Sequence, residues 1–251
     1  MKYVAYLAGA ALLAGCAAPA FADETFGQFV QRAPSARLFQ YVKQDSGAAK
    51  KAELHTTGTA SGDTTASIPI FYIFSMAGLP VDLTGLQNAH LTVDFVSNLG
   101  TTGSGSSRVQ LFDTITTGKI SILRDTAAAE GSGSRKNLLT VSFTNAELDA
   151  SQNSGSFTFQ SNAGSAITYT SDFIDFSHTV SRDFSLSFSG ASPTFNSVLG
   201  SSGRTTRFSG SGTFAAEAPV PEVSTWAMMV VGFAAAGAAM RAGRRRAVLA
   251  A

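Results

Sequence analysis

Asp172-Phe173-Ile174-Asp175, with Asp183 shortly after, is the densest carboxylate group in the 251-residue chain. Paired carboxylates can hydrolyse glycosides by general acid–base chemistry, or hold Ca²⁺ through hard oxygen ligands. In an alternating strand, residues three apart point to opposite faces, so Asp172 and Asp175 share a site only across a bulge. The simpler expectation is solvated charge at a strand end. His55, His90 and His178 are scattered singly, none at metal-ligand spacing, and each reads as a surface or turn residue. No Gly-x-Ser-x-Gly nucleophile elbow is present. Gly118-Lys119 lacks the upstream glycine and the following hydroxyl of a phosphate loop, so it reads as a hairpin turn. Aromatic rings can stack on sugars, and Tyr41, Tyr72 and Tyr169 are the candidates, although 19 phenylalanines imply that most aromatic residues are core. No catalytic residue, metal set or cofactor is assigned from these patterns.

The elements that position these residues are read from alternation. Leu91/Val93/Phe95, Val109/Leu111, Ile120/Ile122, Val141/Phe143, Phe157/Phe159, Ile167/Tyr169 and Phe184/Leu186/Phe188 each mark a strand with one face buried. Between them stand Ser, Thr, Asp and Arg, as suits a wet outer face. Polar and Gly-rich breaks at 100–107, 127–136, 151–155 and 200–204 separate the runs. The continuous apolar run from Ile68 to Met76 reads as a central strand covered on both faces, and 25–42 as one or two edge strands. Leu83 to Leu86 reads as a loop or helical turn. Asn145 to Ala150 reads as a helical turn, with Asn145 as N-cap. The expected fold is all-β, an antiparallel β-sandwich or jelly-roll-like domain over 23–214, followed by an Ala/Pro-rich linker at 215–220.

Charge narrows the partners. The chain has 18 Lys+Arg and 17 Asp+Glu, but Lys2 and four arginines near the C-terminus supply five of the basic residues, leaving the body slightly acidic. No basic stripe exists to neutralise phosphates, so nucleic acid is not an expected partner. Cys16 is the single cysteine, so the body has no internal disulfide and holds itself together by core packing.

Both ends read as export signals. Met1-Lys2 is a short positive region, and Val4 to Gly15 is an apolar stretch too short to span a membrane comfortably. Ala20 and Ala22 place small residues at −3 and −1, so signal peptidase is expected to cleave after Ala22, making 1–22 a signal peptide. Leu13-Ala14-Gly15-Cys16 also matches a lipobox, which would make Cys16 the lipidated N-terminus; ordinary cleavage is preferred, because Ala/Gly-rich leaders produce that pattern by chance. At the other end, Val223 to Met240 carries no charge. At about 1.5 Å per residue it makes a helix of roughly 27 Å, close to the ~30 Å hydrocarbon core, flanked by Trp226 at one interface. Arg241, Arg244, Arg245 and Arg246 form a cytoplasmic stop, which leaves the body facing the periplasm.

Pro221, Glu222, Trp226, Ala227, Met228, Met229, Gly232, Phe233 and those arginines fall in register with the PEP-CTERM sorting signal, which the segment 221–246 resembles. Val223 stands where that family usually has a second proline, and 247–251 extends beyond the usual arginine end. The resemblance implies processing by an exosortase near Pro221-Glu222, passage through an inner-membrane-anchored precursor, and transfer to the cell envelope or extracellular matrix. It also implies association with exopolysaccharide. The expected function is therefore a non-enzymatic exported β-sandwich. The alternatives are a carbohydrate-binding module with a defined glycan or Ca²⁺ site and, behind it, a glycoside-active enzyme.

Overall fold

Alternation dominates the computed structural model, which describes residues 24–216 apart from 45–50, 77–78, 80, 105–106, 113–117, 127–135, 150–156, 163 and 180. The expectations for 1–22, with Ala20, Ala22 and Cys16, and for the tail from 217 onward lie outside the described residues. The strands are β1 (Glu24–Gln31), β2 (Phe39–Lys43), β3 (Ala52–Thr56), β4 (Ile68–Phe74), β5 (Gln87–Ser97), β6 (Thr101–Ser104) and β7 (Ser107–Phe112). They continue with β8 (Gly118–Arg124), β9 (Asn137–Phe143), β10 (Ala146–Asp149), β11 (Phe157–Ser161), β12 (Ile167–Thr170), β13 (Arg182–Ser192) and β14 (Arg204–Ala216). A single short helix, α1 (Phe195–Leu199), and two 3-10 turns at Pro34–Ala36 and Val81–Leu83 are the helical pieces among the described residues.

The fold is nearly all antiparallel β, as the alternation requires. The strands form one large sheet in the order β12-β9-β8-β5-β3-β2-β14-β13-β11-β10-β7-β6. A second bridge runs through β1 and β4, because β1 bonds β14 and β4, and β4 bonds β5. Two long strands make this possible. β5 gives Asp94–Ser97 to β3 and Gln87–Leu91 to β4, while β14 gives Arg204–Phe208 to β2 and its C-terminal half to β1. The sheet turns back on itself, so the core is sandwich-like. Phe95 of β5 stacks on Phe159 of β11 at 4.7 Å between centroids, and Phe143 of β9 meets Phe184 of β13 at 4.7 Å. α1 closes one part of the core, with Phe195 against Tyr41 and Phe208.

Several local expectations are corrected. β1 and β2 are each bonded on both sides, so 25–42 supplies interior strands rather than edges. β4 is paired on both edges, but only Ile68, Ile70, Tyr72 and Phe74 are buried; Phe71 and Ile73 are half-covered on the other face. Ala146–Asp149 is a strand, not a helical turn, because Ala146 and Leu148 alternate into the core and their neighbours face out. Tertiary burial outweighs the N-cap signal of Asn145. Gly118 opens β8 opposite Phe143 instead of turning a hairpin. In β7 the inward residues are Gln110 and Phe112, one position off from Val109 and Leu111, and a one-residue slip reverses every side chain. Gln110 tolerates this because its amide donates to the Ser97 hydroxyl and to the carbonyls of Leu99 and Leu111, and its oxygen accepts from Tyr41. β14 continues through Ala215 and Ala216, two residues into the stretch expected to be linker.

Candidate functional site

β12 ends at Thr170, so Asp172 and Asp175 stand in the following loop rather than on opposite faces of a strand. Asp172 Oδ2 accepts the backbone N–H groups of Lys136 and Asn137, each at 2.9 Å, and so ties the loop to the start of β9. Asp175 Oδ1 accepts the Ser177 N–H at 2.8 Å, and that hydrogen bond holds its carboxyl below the ordinary carboxylate range. Asp183 accepts the Phe184 N–H and the Ser161 hydroxyl. The three carboxylates accept from different partners: Asp172 from Lys136 and Asn137, Asp175 from Ser177, and Asp183 from Phe184 and Ser161. The hollow beside them, about 600 Å³ and open to solvent, is lined by Thr168, Thr170, Asp172, Asp175 and Arg182 among others. Arg182 is the residue that organises this loop. Its guanidinium donates to the Thr179 hydroxyl and to the carbonyls of Ile167 and Phe176 at 2.9–3.1 Å. No spacing in the sequence marks Arg182, because its partners are set by the loop's path.

Tyr41, Tyr72 and Tyr169, the candidates for stacking on sugar, are all core residues at 0%, 0% and 4% exposure. The Tyr169 hydroxyl donates to the carbonyls of Asp183 and Ala215, crossing to β13 and β14. Burial pushes the pKa values of the Tyr41 and Tyr72 hydroxyls up. The apolar area of these rings outweighed any surface role.

The histidines remain separate. His90 lies within β5 and its Nδ1 sits 2.7 Å from Asp125 Oδ1; Arg32 Nη2 donates to the other carboxylate oxygen at 2.8 Å. Burial pulls the Asp125 carboxyl up, but hydrogen bonds and charge from Arg32 and His90 outweigh it and hold the pKa low. His178 is exposed in the turn after Asp175. His55 departs from the surface reading: it is buried on β3 between Gln40 and Asp94, and both its Nε2 and Gln40 Oε1 are buried without a partner. Among the described residues no group of three or more His, Cys, Asp or Glu is placed to hold a metal.

Burial lowers the pKa of His55 from its ordinary 6.5. The unfolded chain therefore takes up the proton first as pH falls, so this contribution to stability is intact above 6.5 and is lost towards the lower folded value. The urea midpoint is expected to fall between about pH 7.5 and about pH 5.5, and to fall less in His55→Gln. Identical pH slopes in the two proteins would remove His55 as the cause.

The outer faces carry rows of hydroxyl side chains, with ionisable residues such as His90, Asp94 and Lys119 in the neighbouring rows. Across β5, β8, β9 and β12 one row runs Thr92, Ser121, Thr140, Thr170. Across β11, β13 and β14 another runs Thr158, Ser187, Ser211, with Gln160, Ser185, Thr213 beside it. Such ladders both donate and accept hydrogen bonds without carrying charge. No helix among the described residues is long and apolar enough to cross a membrane. No family model, no curated protein and no solved structure matches the chain.

Proposed function

We propose that the chain is an exported, non-enzymatic protein whose β domain, a sandwich of the jelly-roll kind, is displayed in the cell envelope or extracellular matrix in association with exopolysaccharide. An inner-membrane precursor is held by the apolar segment and the stop at Arg241, Arg244, Arg245 and Arg246, and an exosortase processes it near Pro221-Glu222. The observation that carries this reading is the order of three unlike features in 221–246: a short polar motif, an uncharged span and an arginine cluster. The hydroxyl rows on the sheet faces support it, because neutral donor–acceptor rows suit hydrogen bonding to glycans.

The test is the intact mass and location of the mature protein from its native source, compared with a Glu222→Ala/Trp226→Ala variant. The expected native product starts at Asp23 and ends near Pro221, whereas the variant keeps Arg241 to Ala251 and stays in the membrane fraction. Unchanged mass and location in the variant would sink the exosortase reading. A native product that retains the arginines would make the tail a plain anchor, and a lipid on Cys16 would replace cleavage after Ala22.

A further inference from the structure

A second hollow, about 630 Å³, lies between the 3-10 turn Pro34–Ala36 and the outer side of β13 and β14, away from the carboxylate loop. A volume of this order is that of a small-ligand pocket. Two guanidiniums, Arg37 and Arg207, and four hydroxyls, Ser35, Ser189, Ser192 and Ser209, line it, and no carboxylate does. The two arginines are in different states. Arg207 is already paired: it donates to Asp63 at 2.8 Å, to the Gly62 carbonyl at 2.6 Å and to the Thr57 hydroxyl. Arg37 makes no hydrogen bond or ion pair among the described residues.

The backbone at Arg37 is unusual as well. Its φ of 48° and ψ of 58° put it in the left-handed region, which a bulky side chain seldom occupies and which clusters at ligand-binding positions. The turn that carries it is fastened from below, since the Ser209 hydroxyl donates to the Pro34 carbonyl. Opposite it, β13 is bulged between Ser189 and Ser192, and bulges re-aim side chains beside binding sites. The hydroxyls of Ser35, Ser189 and Ser192 make no hydrogen bond among the described residues either.

The geometry points to a binding site for a carboxylated sugar, a uronic acid residue either free or within a chain. An unpaired guanidinium presents a planar fork that matches a carboxylate bidentately. Three open hydroxyls that both donate and accept match a partner bearing hydroxyls as well as charge, which a bare anion does not. The association of the domain with polysaccharide, inferred above, is thereby narrowed to acidic sugars. The site itself does not rest on tail processing, and the mass measurement and the binding measurement fail separately.

Calorimetric titration of the purified full-length chain with galacturonate, at low ionic strength, tests the site, with galactose, acetate and sulfate as separate arms. The expected result is saturable binding in the millimolar range for galacturonate and at least about tenfold weaker binding of galactose and of acetate. Arg37→Gly is expected to abolish binding while the melting temperature stays the same or rises, because glycine accepts the left-handed backbone without strain. Absence of saturation, binding retained in Arg37→Gly, or sulfate or acetate binding as tightly as galacturonate would each overturn the proposal.

Discussion

Replacing Phe159 with alanine is expected to cost about 3–5 kcal/mol, the usual range for deleting a buried ring from a core that does not collapse around the gap. Phe159 is fully buried and sits where the two arms of the sheet meet. It stacks on Phe95 at 4.7 Å, lies edge-on to Phe112 at 5.2 Å, and approaches Phe184 and Phe143 at 5.7 and 5.8 Å. Those partners come from β5, β7, β13 and β9, so no one strand can shift to refill the space. Against a total stability of about 5–15 kcal/mol, the loss is at least about a fifth of what holds the domain folded. Urea unfolding should show a lower midpoint with an unchanged slope, and Phe159→Leu, which keeps most of the volume, should recover more than half of the difference. An alanine variant within about 1 kcal/mol of the parent would mean that these rings do not face one another as described.

Gly212→Val is expected to be nearly as damaging by the opposite route. Along β14 the inward positions read Phe208, Gly210, Gly212, Phe214. The two glycines are where neighbouring rings enter. A Cβ on Gly210 would lie 2.7 Å from Phe188 Cδ1 and 3.0 Å from Phe39 Cε2. One on Gly212 would lie 3.1 Å from Phe29 Cζ and closer still to Phe29 Cε1 and Leu186 Cδ2. Phe29 comes from β1 and Leu186 from β13, so a branched side chain at Gly212 forces β14 away from both of its neighbours. Overpacking of this kind costs about 1–3 kcal/mol or more, although valine is the better strand former on an open surface. A Gly212→Val protein as stable as the parent in urea would show that the sheet has slack there.

Those same glycines mark where the fold was hard to read. Leu91/Val93/Phe95, Val141/Phe143 and Phe184/Leu186/Phe188 were legible because each puts a large apolar side chain on every second position, and all are buried. Phe208 to Phe214 carries the same alternation with its middle side chains deleted, so this strand of 13 residues was not among those the alternation marked. β7 misled for another reason: its buried position belongs to Gln110, which hydrophobic patterning cannot recognise as core. The carboxylates were visible as a cluster, but their commitments to Lys136, Asn137, Ser177 and Ser161 depend on loop paths that no local pattern records. Arg37 was invisible for a similar reason. Its significance comes from a backbone dihedral and from strands more than a hundred residues away.

The pairing of Glu24 with Ala216 has a mechanical consequence. The chain leaves the domain from the end of β14, which is hydrogen-bonded to β1 on one edge and β13 on the other over that half of its length. A load applied at Ala216 along the strand axis would strain both rows of bonds together in shear, so they would not open one at a time like a zipper. Rupture under load is governed by the unfolding barrier rather than by equilibrium stability. A domain towed by this strand would resist being dragged apart by flow far better than one towed by a terminal hairpin.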